Sequence, residues 1–422
     1  GCAEAAFALA TLALCIPLAL CGQLGLWQID HQALQRPLLA EPAAFKFGQA
    51  QGQRVRAACA RCGPGAQAEP VAVTGAAGLS HEVEWAGGQG AEQGGGVEAG
   101  PAQAAAGAEL GQAVAPGQHA LARELGQTRA AIWKRIQGLR AAGVDIEGRA
   151  GEGYGLTRPV DLLDPDAIRA GLPAGVQALL HDLQVAWTVD STNAELLRCS
   201  APQRGVSVLL AERQTGGRGR RGRTWASPLA AHIYLSVLRL FSGGLGRLAG
   251  LSLVAGIAVA EALHDLGYTQ AQLKWPNDLL VDGRKLVGLL AEGGGEYAGP
   301  ARAVIGIGIN THMPPSFAEQ ITQPWVDLDT LAGKPVDRNV VVAAVLARLL
   351  PALEEFDREG LAPFLPRYAA FDMLAGREVR VELEGQWQHG TALGLADDGA
   401  LRVRIDGRER LLHAGEVSVR AA

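Results

Sequence analysis

The chain has 422 residues, 48% of them hydrophobic, which suits two or three domains with apolar cores rather than one. Its formal net charge of -5 excludes a wholly basic, nucleic-acid-coating protein and leaves room for one local basic site. Five of the six cysteines, Cys2, Cys15, Cys21, Cys59 and Cys62, lie near the beginning and only Cys199 lies beyond, so the remainder reads as a reduced, cytoplasmic protein without a disulfide framework.

Residues 1–115 differ from the rest. Ala5 to Cys21 is an apolar run broken only by Thr11; it contains Pro17, lacks the basic flank of a secretory signal and is short for a membrane span, so no membrane association is expected. Cys59 and Cys62 form a lone C-x-x-C, for which chance spacing outweighs zinc. From about Gly75 to Gly117 the chain is mostly Gly, Ala, Gln and Glu, a composition that cannot offset the entropy of ordering, and disorder is the expectation. The two methionines are Met313 and Met373, with none at the start, so part of this region is expected to be upstream sequence.

Pattern begins after Gly117. Ala120 to Gly126 is a short helical stretch, and Thr128 is placed to cap a second helix running to Arg140, with Ile132, Ile136 and Leu139 as its buried stripe. Its other faces carry Arg129, Trp133, Lys134 and Arg135. With Gly151 to Gly155 as a hairpin, residues 116–158 resemble a winged helix-turn-helix whose second helix would enter the major groove, Thr128 and those four residues forming the DNA contacts. An ordinary solvated amphipathic helix is the alternative that this pattern alone favours.

Pro159 to Asp164 reads as a linker, with Asp164-Pro165 capping the next helix. Residues 165–372 mix strand-like runs at Val206 to Ala211, Ile233 to Leu238 and Ala303 to Ile309 with helical spacing over Leu251 to Leu266, an α/β (α+β) domain of about two hundred residues. Gly216 to Trp225 holds four arginines, Arg218, Arg220, Arg221 and Arg223, and four glycines, including Gly217 and Gly219. Such a segment suits a mobile loop around a phosphate or carboxylate: glycines admit close backbone approach and guanidinium groups are forked, permanent cations. An RGG-like nucleic-acid tether is the alternative, but such tethers are long repeats and this segment is brief and set between strands.

Three further segments share the domain. Asp190 to Asn193 clusters short polar side chains after a strand-like stretch, suited to a small polar head group or, equally, to a helix cap. Lys274 to Asp278 (KWPND) is a proline-fixed turn, and Asp282-Gly283 is a hairpin turn that places Lys285 at the start of a strand. Gly306 and Gly308 alternate with isoleucines, which suits a flat molecule against one face of a strand.

Taken together, DSTN, QTGGRGRRGRTW, KWPNDLL, GRKLVGLL and IGIGIN stand in the order and spacing of bacterial biotin protein ligases, and the preceding helix-turn-helix with GEGYGL resembles the bifunctional ligase and biotin-operon repressor subgroup. The resemblance spans roughly Ala120 to the C-terminus. It implies a catalytic domain of the biotin/lipoate ligase, class II synthetase-like type and an SH3-like β-barrel over residues 375–422. There Val379, Val381 and Leu383 alternate, Asp397 to Gly399 turns, and Leu401, Val403 and Ile405 alternate again.

The resemblance also implies roles. Ser191, Thr192, Asn193 and Gln214 would meet the ureido ring of biotin, with Gly217, Arg218, Gly219, Arg220 and Lys285 around the ligand and Gly306 and Gly308 leaving room for the bicycle. Arg220 and Lys285 would be catalytic, and with Arg218 and Mg2+ would screen the biotin carboxylate as it attacks the α-phosphate of ATP. Arg221, Arg223 and Trp225 would contact the nucleotide, Asn310 and Trp325 the adenine, and Asp278 the metal. No Ser-His-Asp or Cys-His nucleophile is required, because the adenylate carries the activation. The implied partners are the biotin carboxyl carrier protein of acetyl-CoA carboxylase, operator DNA and a second copy in a ligand-dependent homodimer. Two departures stand out: the expected first helix, about Ala104 to Ala115, has only Leu110 and Val114 as sizeable apolar residues, and Ala226 follows Trp225 where some members carry an aromatic residue. Open alternatives are a ligase without DNA function, a lipoate ligase, and a non-catalytic biotin-sensing regulator.

Overall fold

The computed structural model describes residues 114–115, 121–123, 125–149, 153–295, 299–383, 385–413 and 418–421. The apolar run at Ala5, the Cys59/Cys62 pair, the Gly/Ala-rich stretch and most of the expected first helix lie outside the described residues. Of that helix the described part, Val114–Ala115, is a strand, β1, paired with Tyr154 and Gly155; its extended pairing replaces the helical expectation.

The N-terminal unit is a three-stranded antiparallel sheet, β1-β3-β2, with β2 at Ile146–Arg149 and β3 at Gly153–Leu156, against helix α1, Arg129–Ala141. Thr128 caps α1 as expected, its Oγ1 accepting from the Ala131 N–H at 3.2 Å. The i, i+4, i+7 stripe of Ile132, Ile136 and Leu139 is buried with Leu121, Val144 and Ile146. Leu229 of the next domain completes this cluster and donates its N–H to the Ala142 carbonyl at 2.7 Å.

The central domain is a seven-stranded mixed sheet in the order β4-β5-β6-β10-β9-β8-β7. Its strands are β4 Leu180–Val189, β5 Val206–Gln214, β6 Ile233–Phe241, β7 Gln272–Lys274, β8 Asp278–Val281, β9 Arg284–Gly295 and β10 Ala301–Ile309. Only β4 and β5 run parallel. Short helices α2, Pro165–Ala170, and α3, Ala174–Gln177, precede the sheet, and α4, Thr192–Arg198, follows β4. Helix α5, Leu251–Asp265, has eleven of its fifteen residues buried, because it lies between the sheet and the long helix Arg338–Glu359.

The alternation of β10 decides where a ligand can go. Ala303, Ile305, Ile307 and Ile309 enter the large core with α5, so Val304, Gly306 and Gly308 face the other side, where Val304 packs with Leu196 of α4. Three short elements, α6 at Pro315–Ala318, α7 at Leu328–Ala332 and α9 at Phe364–Phe371, flank the long helix, which is α8.

The C-terminal unit is a five-stranded antiparallel sheet, β14-β13-β12-β11-β15. Its strands are β11 Glu378–Leu383, β12 Gln386–Leu395, β13 Leu401–Ile405, β14 Arg408–Leu412 and β15 Ser418–Ala421. The predicted alternations hold: Val379, Val381, Leu401, Val403 and Ile405 are buried, in one continuous core with the central domain. Trp275 of the KWPND segment is buried and donates Nε1–H to the Gly399 carbonyl at 3.0 Å, fastening the two units together. Among the described residues no helix is long and apolar enough to cross a membrane.

Candidate active site

A cavity of about 1370 Å³ opens on the Gly306/Gly308 face of the sheet, and every ligand-site residue expected from the sequence lines it. Five arginines, Arg213, Arg218, Arg220, Arg221 and Arg223, and two lysines, Lys274 and Lys285, face a single lining carboxylate, Asp278. Such a cavity attracts anions.

Its polar floor is built where β4 gives way to α4. Ser191 caps α4, accepting from the Ala194 N–H at 3.5 Å, and this turn brings Thr192 and Asn193 down onto the sheet, each only 4% exposed. Gln214, at the end of β5, accepts from the Thr192 N–H at 2.9 Å and lies 3.2 Å from its hydroxyl. Its amide donates to Ser227 at 3.3 Å. Asp190 faces away, ion-paired with Arg198, whose hydrogen bond holds the carboxyl below its ordinary pKa.

The arginine segment is set between β5 and β6. It folds back as a small hairpin: Arg218 bridges to Thr224, Gly219 N–H donates to the Arg223 carbonyl at 2.7 Å, and Trp225 N–H donates to the Gly217 carbonyl at 2.9 Å. Its tip is a 3-10 turn, Arg220–Gly222, with Arg221 in the left-handed region at φ 56°. Arg221 and Arg223 are exposed, whereas Arg220 turns inward and donates to Asn277 Oδ1 at 3.1 Å. Burial, and then repulsion by Arg221, lowers the Arg220 pKa, with Asp278 opposing. A strong base held in this way stays charged and gains from an arriving anion.

Lys285 stands beside it. The Asp282-Gly283 turn, with both residues at positive φ, starts β9 as expected and sets Lys285 Nζ 2.8 Å from Asp278 Oδ1 and 5.4 Å from the Trp225 ring centroid. Asn310, expected beside the adenine, lines the cavity. Both amide hydrogens are committed, to the Lys285 carbonyl at 3.1 Å and the Val326 carbonyl at 3.2 Å, so it clamps Lys285 and Trp325 where their backbones bridge.

The glycines of β9 and β10 give this face of the sheet a side-chain-free surface. Gly288 and Gly308 are directly paired across β9 and β10, and the Trp225 indole lies over both; an added Cβ would come within 2.7 Å of the ring at Gly288 and 2.5 Å at Gly308. At Gly306 a Cβ would overlap Asn193. The space left by these glycines is filled by the protein's own Trp225 and Asn193, which set a flat, part-polar floor. Residues that sequence reasoning missed are Ser236, Ser227, Asn277 and Glu292. Sheet register brings Ser236 and Glu292 to the site, and the turns beside Trp225 and Pro276 bring Ser227 and Asn277.

Asp278 is the carboxylate positioned to meet a metal, but it is shared with Lys285, and among the described residues no group of three His, Cys, Asp or Glu side chains forms a metal cage. The arrangement fits a magnesium ion that arrives on nucleotide phosphates and takes one protein oxygen.

On the N-terminal unit, Thr128, Arg129, Trp133 and Lys134 are exposed and Arg135 is half-buried, 3.5 Å from Gln127 Oε1. They share one helix, well apart in the chain from the cavity residues.

A mixed sheet with a glycine-floored face, a polar corner and an arginine hairpin opposite a paired lysine defines a ligase domain that gathers a carboxylate and a nucleotide. Residues 185–310 match the biotin/lipoate A/B protein ligase family, residues 375–420 the biotin protein ligase C terminal domain, and residues 118–155 an HTH domain. The chain is 41% identical over 302 residues to the bifunctional ligase/repressor BirA of Salmonella typhimurium, covering 72% of this chain and 92% of that one. It is 34% identical over 262 residues to the biotin--[acetyl-CoA-carboxylase] ligase of Mycobacterium tuberculosis, covering 60% and 95%. The biotin protein ligase of Aquifex aeolicus, solved in complex with biotin and ATP, superposes with a TM-score of 0.50 at 29% identity, covering 57% of this chain and all of that one. The chain belongs to the biotin protein ligase family, in its bifunctional ligase/repressor branch. It is an ATP-dependent biotin ligase with a helix-turn-helix domain ahead of the ligase domain.

Proposed function

We propose that the cavity joins biotin to AMP and then passes the biotinyl group to a lysine of a biotin carboxyl carrier protein. Thr192, Asn193 and Gln214 receive the ureido ring, since a buried urea needs both donors and acceptors to offset its desolvation. A dithiolane would leave these groups unmatched, and this polar corner is what favours biotin over lipoate. Arg220 and Lys285 lie where the carboxylate and the α-phosphate must meet, and their charges offset the repulsion between the two anions and stabilise the crowded phosphorus of the transition state. Arg218, Arg221 and Arg223 hold the outer phosphates. Trp225 covers the mixed anhydride against water. Asp278 would be the residue to hold a magnesium ion arriving with the nucleotide, and the ion would supply additional positive charge against the phosphates. An acceptor lysine entering this cationic site is favoured in its neutral, nucleophilic form.

The same chain reads operator DNA through α1, with Arg129, Lys134 and Arg135 on phosphates and base edges, and pairs with a second copy when the adenylate is bound. The observation that carries the enzymatic reading is the convergence of Arg220 and Lys285 on one anion-seeking cavity floored by a urea-matching corner. Formation of biotinyl-AMP by the Arg220→Ala/Lys285→Ala double variant is expected to fall by a factor corresponding to about 3 kcal/mol or more. An undiminished rate in a folded double variant would overturn the assignment.

A further inference from the structure

Three strands bring an unassigned carboxylate up behind Asn193, a residue that lines the cavity. In the sheet register Ser236 of β6 and Leu290 of β9 flank Gly306 of β10, and Glu292 lies two pairs further along, on the same face and opposite Val304. Asn193 lies across this row. Its amide nitrogen donates to the Leu290 carbonyl at 3.1 Å and to Glu292 Oε2 at 2.8 Å, which uses both hydrogens. Its Oδ1 accepts from the Ser236 hydroxyl at 2.6 Å and rests against Gly306. An amide has two faces of opposite polarity, and the groups around it decide which face looks where. A carbonyl and a carboxylate are both acceptors, so the NH2 of Asn193 must face them, and its oxygen is left on the Gly306 side, which lines the cavity.

We propose that Glu292 is a positioning residue that fixes the polarity of the cavity floor by holding Asn193 with its carbonyl oxygen toward the ligand, an acceptor surface for the N–H groups of a cyclic urea. This rests on the ureido-binding reading of the corner given above. Glutamine in place of Glu292 would leave the Leu290 carbonyl as the one acceptor that still demands this orientation, because its own NH2 could donate to a reversed Asn193. Glu292 also lies 3.5 Å from Arg218, so a route through the arginine hairpin must be separated from the route through Asn193.

The test is calorimetric titration of the full chain with biotin alone and with ATP alone, for the wild type, Glu292→Gln, Arg218→Ala and the double variant. Expected for Glu292→Gln is a loss of biotin affinity of about tenfold or more, the range of one buried polar mismatch, with ATP affinity within twofold. Arg218→Ala should weaken biotin less, and the double variant should be weaker than Arg218→Ala by about the Glu292→Gln factor. Unchanged biotin affinity in Glu292→Gln overturns the proposal. So does a parallel loss of biotin and ATP, or a loss in Arg218→Ala equal to that of Glu292→Gln and not deepened in the double variant. A wild type that binds ATP but no biotin would instead defeat the underlying reading of the corner.

Discussion

His232 shows how one buried side chain sets a pH limit on this fold. It is fully buried, its Nδ1 accepts from the Thr311 N–H at 3.1 Å, and burial, with His312 and Arg338 nearby, lowers its pKa from 6.5 to about 3. In the folded chain the ring therefore stays neutral, while in the unfolded chain it takes up a proton below about 6.5. The unfolded state binds the extra proton throughout the window between those values, so stability falls as pH falls through it, by at most about 1.4 kcal/mol per pH unit. Urea unfolding at pH 7 and pH 5 should show this slope in the wild type and a shallower one in His232→Gln, whose side-chain oxygen can still accept from Thr311. Equal slopes would mean that His232 does not supply the pH dependence.

At the level of elements, helix α1 separates packing from recognition. Ile136 is 4% exposed and Trp133 is 54% exposed, although both belong to the same thirteen-residue helix. Ile136→Ala should cost about 2–5 kcal/mol of local stability, read as faster amide exchange across α1, because it opens a cavity in a small core. Trp133→Ala should leave exchange unchanged within about 0.5 kcal/mol and weaken operator binding. Loss of exchange protection in the Trp133 variant would place that ring in the fold instead. This helix was legible in the sequence because its cap and its 3.6-residue stripe are local signals, and the same holds for the Asp164 cap, the Asp282-Gly283 turn and the alternation of β11 and β13. The candidate site was legible as far as it consists of contiguous motifs. What remained hidden depends on pairing between distant strands: Ser236 and Glu292 reach the site only through the β6-β10-β9 register, and the cover over Gly288 and Gly308 is a tryptophan more than sixty residues away in the chain. The hairpin closure of the arginine segment is hidden for a related reason: composition registers its repelling charges but not the two backbone hydrogen bonds that form the Arg218–Thr224 bridge.

Across the molecule, one buried ion pair joins the linker to the ligase sheet. Arg338 and Glu212 are 3% exposed and 2.9 Å apart. Arg338 also donates to the His232 carbonyl at 3.1 Å and to the Asp161 carbonyl, while Glu212 accepts from the Leu163 N–H at 2.6 Å. The stretch between the helix-turn-helix and the ligase domain is thus bonded to the sheet by two charges that compensate each other. Removing either partner strands a charge away from water, at a cost of about 3–5 kcal/mol, whereas neutralising both avoids that penalty. Arg338→Met and Glu212→Gln should therefore each lower the urea midpoint sharply, and the double variant should be more stable than the sum of the two losses by about 1 kcal/mol or more. Limited proteolysis should show cleavage within residues 158–164 rising in Arg338→Met, because the Asp161 carbonyl then loses its donor. Strict additivity of the two substitutions, with unchanged cleavage of the linker, would show that the pair does not act as a unit and that the linker is held by other contacts.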